Sequence, residues 1–419
     1  MHANRPPAFL PESLATFIIV LVSAFPGWCG AAAGPAPADF KAVSSGVKYQ
    51  LIGEYSVERL NRIMTDEVAK FSTFPMTYPP AENPVRLYKV VYNTVIPEDH
   101  NRPVQVSGLI AVPAVKFTAL PVVSYQHGTV FSRTEVPSAP EESMETRLMV
   151  ARFAGQGYLV VAADYIGKGI SNEPDGWLVK GVTAQACLDM LLAAKAVCAD
   201  LNLTPGDLFL SGWSQGSFST SAFMNRLETI GIPVQAAAMA SAPNDIYLCF
   251  NRWINVPSDL DVHWLVATAS MMVNAYEKYY DLPGLSTTAI KPPYWQAARD
   301  LYNNTITWEQ AEKILPAKTK DLFQEDFISR CSMASNRFSK QQQENLSYGW
   351  RFKTTTRYYY GKIDEVVTPY MVNLPVEYQK TLGGAEAQAI FAGDKADHRG
   401  TFLFAVKHQK DWFDGLRSR

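Results

Sequence analysis

Four short runs constrain this chain most. They are Leu120 to Gly128 (LPVVSYQHG), Tyr158 to Tyr165 (YLVVAADY), Asp207 to Ser214 (DLFLSGWS) and Val234 to Pro243 (VQAAAMASAP). Each is almost continuously apolar rather than alternating, the pattern of strands covered on both faces. Helical patterns lie between them. Apolar residues recur at helical spacing from Gly181 to Asp200, and a second helical stretch, Phe218 to Leu227, comes after Ser214. Strand–helix alternation predicts an α/β fold, a mostly parallel sheet with helices on both faces. Val85 to Val112 carries two β-rich runs around Pro97 to Asn101. That reads as a hairpin adding antiparallel strands at one edge.

The alternation stops after Asp245 and resumes at Thr354 with TTTRYYYGKID. A helix from about Pro369, a strand AEAQAIFAG and a final helix to Leu416 complete the chain. The segment at about 246–350 reads as helical and is rich in aromatics, among them Trp253, Trp264, Tyr276, Tyr279, Tyr280, Trp295, Tyr302 and Trp308. It is expected to be an insert between two strands of one sheet rather than a separate domain, because the sheet is incomplete without the strands beyond Thr354. One domain over residues 34–419 results.

Composition narrows the class. The 419 residues are 47% hydrophobic and 19% charged, enough for a large core and too apolar for long disorder. Lys and Arg total 38 against 40 for Asp and Glu, a formal net charge of −2 with no basic block. A nucleic-acid partner, which demands clustered positive charge, is therefore not expected.

The first residues read as an export signal. Arg5 precedes an apolar run, Leu14 to Phe25, which Pro26 and Gly27 break. Ala31, Ala32 and Ala33 offer small residues for cleavage, so a signal peptide over 1–33 and a secreted or periplasmic location are expected. The run is short of the ~18–20 residues of a span, and no later segment reads as one. Trp28 before Cys29 is too large for a lipidation signal. Beyond the signal lie Cys187, Cys198, Cys249 and Cys331. Cys187 and Cys198 share one helix about 16 Å apart, too far to bridge. Cys249 and Cys331 both fall in the insert, where a disulfide and two free thiols are both open. No Cys or His spacing suggests a metal site.

The strongest chemical signal is Gly212-Trp213-Ser214-Gln215-Gly216. An apolar strand runs into it and a helix runs out, the setting of a nucleophile held on a tight turn. A serine hydroxyl needs a base to take its proton. The chain has His2, His100, His127, His263, His398 and His408. Only His398 falls between the last strand and the last helix, where a flexible loop would present it. After a nucleophile of this kind the acid precedes the histidine in the chain. Asp364, in the loop after TTTRYYYGKI, is the first choice. Glu365 beside it has a longer side chain, and Asp245, ending the strand before the insert, is the alternative. Asp394 and Asp397 stand too close to His398 to be obvious orienters. An oxyanion needs N–H donors. Gln215, directly after the nucleophile, supplies one and Thr129 in His127-Gly128-Thr129 the other, with His127 a structural hydrogen-bonder.

With these residues in place the chain resembles an α/β-hydrolase of the secretory lipase and esterase group. The resemblance rests on Ser124-Tyr125-Gln126-His127-Gly128-Thr129, Asp164-Tyr165-Ile166-Gly167-Lys168-Gly169, the Trp213 to Gly216 turn, Gly361-x-x-Asp364 and His398. It covers nearly everything after residue 45. Members of the group carry a helical cap between the sixth and seventh strands, which implies the same of the insert. Ser217, where many relatives have a second Gly, and Lys168, where an apolar residue is common, depart from the pattern. The resemblance implies an exported serine carboxyl-ester hydrolase with a Ser214, His398, Asp364 triad and no metal or organic cofactor. Its partner would be a small-molecule or lipid ester, without stable membrane insertion. The rivals are a serine peptidase of the aminopeptidase kind on the same fold, and a catalytically inactive binding protein.

Overall fold

The computed structural model describes residues 39–417 except residue 334; the export segment expected over 1–33 lies outside the described residues. The strands are β1 (Lys41–Ser44), β2 (Val47–Tyr55), β3 (Val85–Ile96), β4 (Arg102–Pro113), β5 (Ala119–Gln126), β6 (Leu159–Ala163), β7 (Thr204–Trp213), β8 (Ala236–Ala240), β9 (Thr356–Tyr360) and β10 (Ala387–Phe391). They form one sheet in the order β1-β2-β3-β4-β6-β5-β7-β8-β9-β10. From β1 to β4, and between β4 and β6, neighbours pair antiparallel. From β6 onward every pair is parallel.

The continuous apolar runs are explained by burial on both faces. In β7, Leu208 and Leu210 enter one core and Phe209 the other. In β6, Leu159, Val161 and Ala163 face the first core, while Val160 and Ala162 face the second. The first core is filled by the helices Lys180–Asp200, Gln215–Ile230 and Pro369–Leu382. The second lies under Met144–Arg152 and His398–Leu416, where Phe413 stacks on Phe209 with ring centroids 4.6 Å apart. Parallel strands separated by helices deliver their C-terminal ends to one edge. The loops after β5, β7, β8, β9 and β10 therefore meet there, the usual place for a site in such a sheet.

The chain between β8 and β9 is helical, with Ile246–Asn255, Leu265–Tyr279, Pro292–Tyr302 and several shorter helices. Phe250, Trp253, Tyr276, Phe323 and Phe338 belong to the same core as the sheet's first face. Most aromatics of this segment thus serve packing, and the segment is continuous with the sheet's interior.

The structure adds to the sequence reading in two places and departs from it in a third. The first β-rich run read from the sequence starts at Val85, and β1 and β2 extend the antiparallel side before it. Gly46 makes their turn at φ +78°, where a Cβ would strike Asn93. Cys249 and Cys331 are not paired: with Cys187 and Cys198 they are buried free thiols. Cys331 Sγ donates to the Ile328 carbonyl at 3.3 Å, and Cys249 Sγ lies 3.4 Å from Met371 Sδ. Finally, Lys180–Asp200 does have the length and hydropathy of a membrane span, but 67% of its apolar window is buried. It is apolar because it is wedged between the sheet and a neighbouring helix.

Burial raises the thiol pKa of all four cysteines. Cys187, Cys198, Cys249 and Cys331 should therefore resist an aromatic disulfide reagent in the folded protein. All four should react after guanidinium unfolding without prior reduction, and a reductant should leave the unfolding temperature unchanged.

Candidate active site

Ser214 sits between β7 and the Gln215–Ile230 helix with φ 56° and ψ −124°. That conformation costs a non-glycine residue about 1–3 kcal/mol, so its surroundings must hold it. Its N–H donates to the Ala240 carbonyl at 2.9 Å, and its own carbonyl accepts from Ser217 N–H at 2.9 Å. A Cβ on Gly216 would collide with the Gln126 carbonyl oxygen, and one on Gly212 with the Gly216 carbonyl oxygen. No other residue fits either place. Ser217, the departure from the group pattern, is fully buried and donates to the Ala240 carbonyl at 2.7 Å. It ties the new helix to the end of β8.

His398 is not in a flexible loop. It is the first residue of the His398–Leu416 helix, whose cap Asp397 accepts from Gly400 N–H at 2.6 Å. Its own N–H donates to Glu365 Oε2 at 3.0 Å, and the Trp213 indole N–H donates to its carbonyl at 3.1 Å. The imidazole is thereby held at both ends of its backbone. Nδ1 faces Asp364 Oδ1 at 3.0 Å and Oδ2 at 3.2 Å. Asp364 Oδ1 also accepts from the N–H groups of Val366 and Val367 at 2.9 and 3.0 Å. With Nδ1–H on the carboxylate, the neutral ring carries its lone pair on Nε2. Nε2 is buried and has no hydrogen-bond partner among the described residues.

Burial alone would raise the Asp364 pKa, but the neighbouring imidazole and the N–H donors hold it below its ordinary value. Burial alone would lower the His398 pKa, but the Asp364 carboxylate outweighs it and the pKa is raised. Asp245, the alternative acid, is used elsewhere. It caps the Ile246–Asn255 helix through Leu248 N–H at 3.0 Å and accepts from Tyr348 Oη at 3.0 Å. Glu365 bonds the His398 backbone, not its ring.

Ser214 and His398 line one cavity of about 510 Å³, with Thr129, Val130, Phe131, Glu135, Trp213, Trp264, Trp308, Glu365, Asp397 and Arg399. Trp264 and Trp308 come from the helical segment between β8 and β9, and Trp308 stacks on Phe131 at 5.5 Å. Gln215 opens its helix, so its N–H is one of the first-turn donors without an intrahelical acceptor. Thr129 follows Gly128 in the loop after β5, and its Oγ1 accepts from the Trp177 indole at 3.0 Å. His127 is buried, its Nδ1 2.8 Å from the Gly128 carbonyl, and desolvation pushes its pKa down to about 4. Lys168, the second departure, is buried against Asp175 at 3.1 Å.

Sequence reasoning misses three residues here. Trp213 occupies the variable position of the pentapeptide, yet its indole lies 5.0 Å from the His398 ring and bonds its carbonyl. Glu365 is a candidate acid by position, and its role as an acceptor for backbone has no sequence signal. Glu145, on the Met144–Arg152 helix, is buried and accepts from Tyr125 Oη at 2.5 Å and Gly128 N–H at 2.9 Å. Burial pushes its pKa up to about 7. No local signal separates it from the solvated glutamates Glu141 and Glu142 just before it.

No protein-family model and no curated protein matches the chain. Solved structures do. A Legionella pneumophila protein provisionally described as a hydrolase aligns over 88% of this chain and 97% of its own, at 23% identity and TM-score 0.77. The rice cell wall degrading esterase LipA from Xanthomonas oryzae aligns over 88% and 98%, at 20% identity and TM-score 0.75. Candida antarctica lipase A in its closed state aligns over 88% and 83%, at 17% identity and TM-score 0.60. The chain has the α/β-hydrolase fold. β3 to β10 reproduce its eight-stranded sheet, β1 and β2 are added before it, and the helical insert lies between the sixth and seventh strands of that core.

The raised His398 pKa has a direct test. In nitrogen NMR of the folded protein, His398 should titrate above its ordinary 6.5, with the charged form lost as pH rises through that higher value. Asp364→Asn should move the titration down, because burial then acts without the opposing carboxylate.

Proposed function

We propose that the protein is an exported serine hydrolase of carboxylic esters. The observation that carries this reading is the buried Asp364–His398 pair, whose unpartnered Nε2 shares a cavity with Ser214 on its strained turn. Neighbours of the same fold described as an esterase and a lipase support ester bonds as the target. Export rests on the N-terminal pattern of Arg5, the Leu14 to Phe25 run and the small residues to Ala33.

In this mechanism Ser214 Oγ attacks the ester carbonyl while His398 Nε2 takes its proton. Asp364 keeps Nδ1 protonated and stabilises the imidazolium that forms. The carbonyl oxygen gathers negative charge, which the N–H groups of Gln215 and Thr129 receive. His398 returns the proton to the departing alcohol. Water, activated by the same nitrogen, then cleaves the acyl-enzyme and restores Ser214. The residues between β8 and β9 serve as a cap, and Trp264 and Trp308 give its inner wall an apolar surface for the acyl chain.

One observation favours an aminopeptidase-like second reading: Glu135, Glu365 and Asp397 line the cavity and would attract a substrate ammonium group. Glu365 and Asp397 accept the backbone N–H groups of His398 and Gly400, and Glu135 one from Ser132, so an ammonium would have to share any of the three. Cleavage of aminoacyl amides in preference to esters would establish this reading and overturn the first.

Ser214→Ala should lower ester hydrolysis at least ~10³-fold with the unfolding transition preserved. A fluorophosphonate should label the wild type and not this variant. More than a tenth of wild-type turnover in Ser214→Ala would remove Ser214 as nucleophile. Each acyl methylene buried in the cavity is worth up to ~0.8 kcal/mol, so kcat/KM should rise with chain length until the cavity ends. Trp308→Ala or Trp264→Ala should flatten that rise on p-nitrophenyl esters while acetate cleavage persists; an unchanged profile in both would exclude the cap as the acyl wall.

A further inference from the structure

Glu145 is a buried carboxyl without a part in the ester chemistry of Ser214, His398 and Asp364. It stands in the first turn of the Met144–Arg152 helix at 6% exposure, among apolar neighbours such as Leu148 and Met149 that enter the sheet's second core. Oε2 takes two donors, Tyr125 Oη at 2.5 Å and Gly128 N–H at 2.9 Å. Tyr125 is a fully buried residue of β5, so one donor anchors the carboxylate to the sheet. The other donor belongs to the loop that leaves β5 for the cavity.

Peptide planarity carries this bond one residue further. Gly128 N–H lies in the plane joining His127 to Gly128. The Gly128 carbonyl lies in the next plane, whose N–H is that of Thr129. In a trans peptide these two groups point in opposite directions. His127 Nδ1 meets the Gly128 carbonyl at 2.8 Å. Glu145 thus holds the first plane and His127 the second, and the direction of the Thr129 N–H is set by both. Gly128 is closely packed on its Cα side: a Cβ there would lie 3.1 Å from the Trp213 indole and 3.4 Å from Glu145 Oε2. Thr129 itself lines the cavity beside Ser214.

We infer that Glu145 is a positioning residue for the oxyanion loop, fixing the Thr129 N–H where charge develops on the ester carbonyl. The inference rests on the reading of Ser214 as an esterase nucleophile. A donor of this kind acts mainly in the transition state. Losing its positioner lowers kcat and leaves substrate binding nearly untouched.

The test uses the full-length enzyme with p-nitrophenyl butyrate and a trifluoromethyl ketone as a reversible mimic of the tetrahedral state. Glu145→Ala should lower kcat by about 10- to 100-fold with KM within about twofold, and should weaken the ketone by the same factor as kcat/KM. Glu145→Gln keeps an oxygen acceptor for both donors and should restore kcat at least about threefold over Glu145→Ala. Tyr125→Phe, which leaves Gly128 N–H its acceptor, should cost less than Glu145→Ala. If Glu145→Ala fails to fold, Glu145→Gln and Tyr125→Phe decide by the same split between kcat and KM. Wild-type kcat in Glu145→Ala, a loss appearing in KM, or an unchanged ketone affinity would overturn the inference. A wild type that fluorophosphonate does not label at Ser214 would overturn the parent reading, and this one with it; labelling combined with any of the preceding results overturns only the role of Glu145.

Discussion

The contact between Gly216 and the Gln126 carbonyl is the constraint on which the rest of the site depends. The ends of β5 and β7 come so close that a Cβ at Gly216 would sit inside van der Waals distance of backbone. That closeness brings the loop carrying Thr129 alongside the turn carrying Ser214. The same turn is pinned to the end of β8 by Ser214 N–H and Ser217 Oγ, both on the Ala240 carbonyl. Three strand ends are thereby locked together, and the unfavourable backbone of Ser214 is held by bonds on both sides.

The second half of the site is assembled by chain beyond the insert. Asp364 leaves β9 and accepts from two N–H groups of its own loop, so the carboxylate is oriented before it meets the ring. His398 is set by a helix start rather than by a mobile loop. Glu365 and Trp213 hold its N–H and carbonyl, and Asp397 caps the turn behind it. Burial and charge oppose each other in both groups, and charge prevails: the acid is held ionised and the imidazole is made more basic. Buried charges need such partners, because desolvation alone would neutralise them. The insert closes this edge, with Trp264 and Trp308 facing the cavity while most of its other aromatics join the main core.

The sequence by itself determined the strands from Val85 onward, because residues buried on two faces leave continuous apolar runs that one-sided strands do not. It also determined which serine stands on the turn, through the Gly-x-Ser-x-Gly pattern between an apolar strand and a helix; the Gly212 demand is local to the turn, whereas the Gly216 demand comes from the Gln126 carbonyl of β5. His398 stands out by its place between the last strand and the last helix, while Asp364 is a first choice with Asp245 still open. Tertiary structure decided what depends on approach between distant segments. β1 is short and β2 half-exposed, so their pattern is weak without the edge of β3 to pair with. Cys249 and Cys331 are equal candidates for a disulfide until packing separates them. Asp245 and Asp364 come after neighbouring strands, and only the helix that Asp245 caps removes it from the site. Glu145 is the clearest case. Its sequence neighbourhood is that of a surface helix start, and it becomes a buried acceptor only because β5 and the Gly128 loop arrive above it. A carboxylate's environment is set by the groups that pack on it, and one-dimensional spacing does not carry that information.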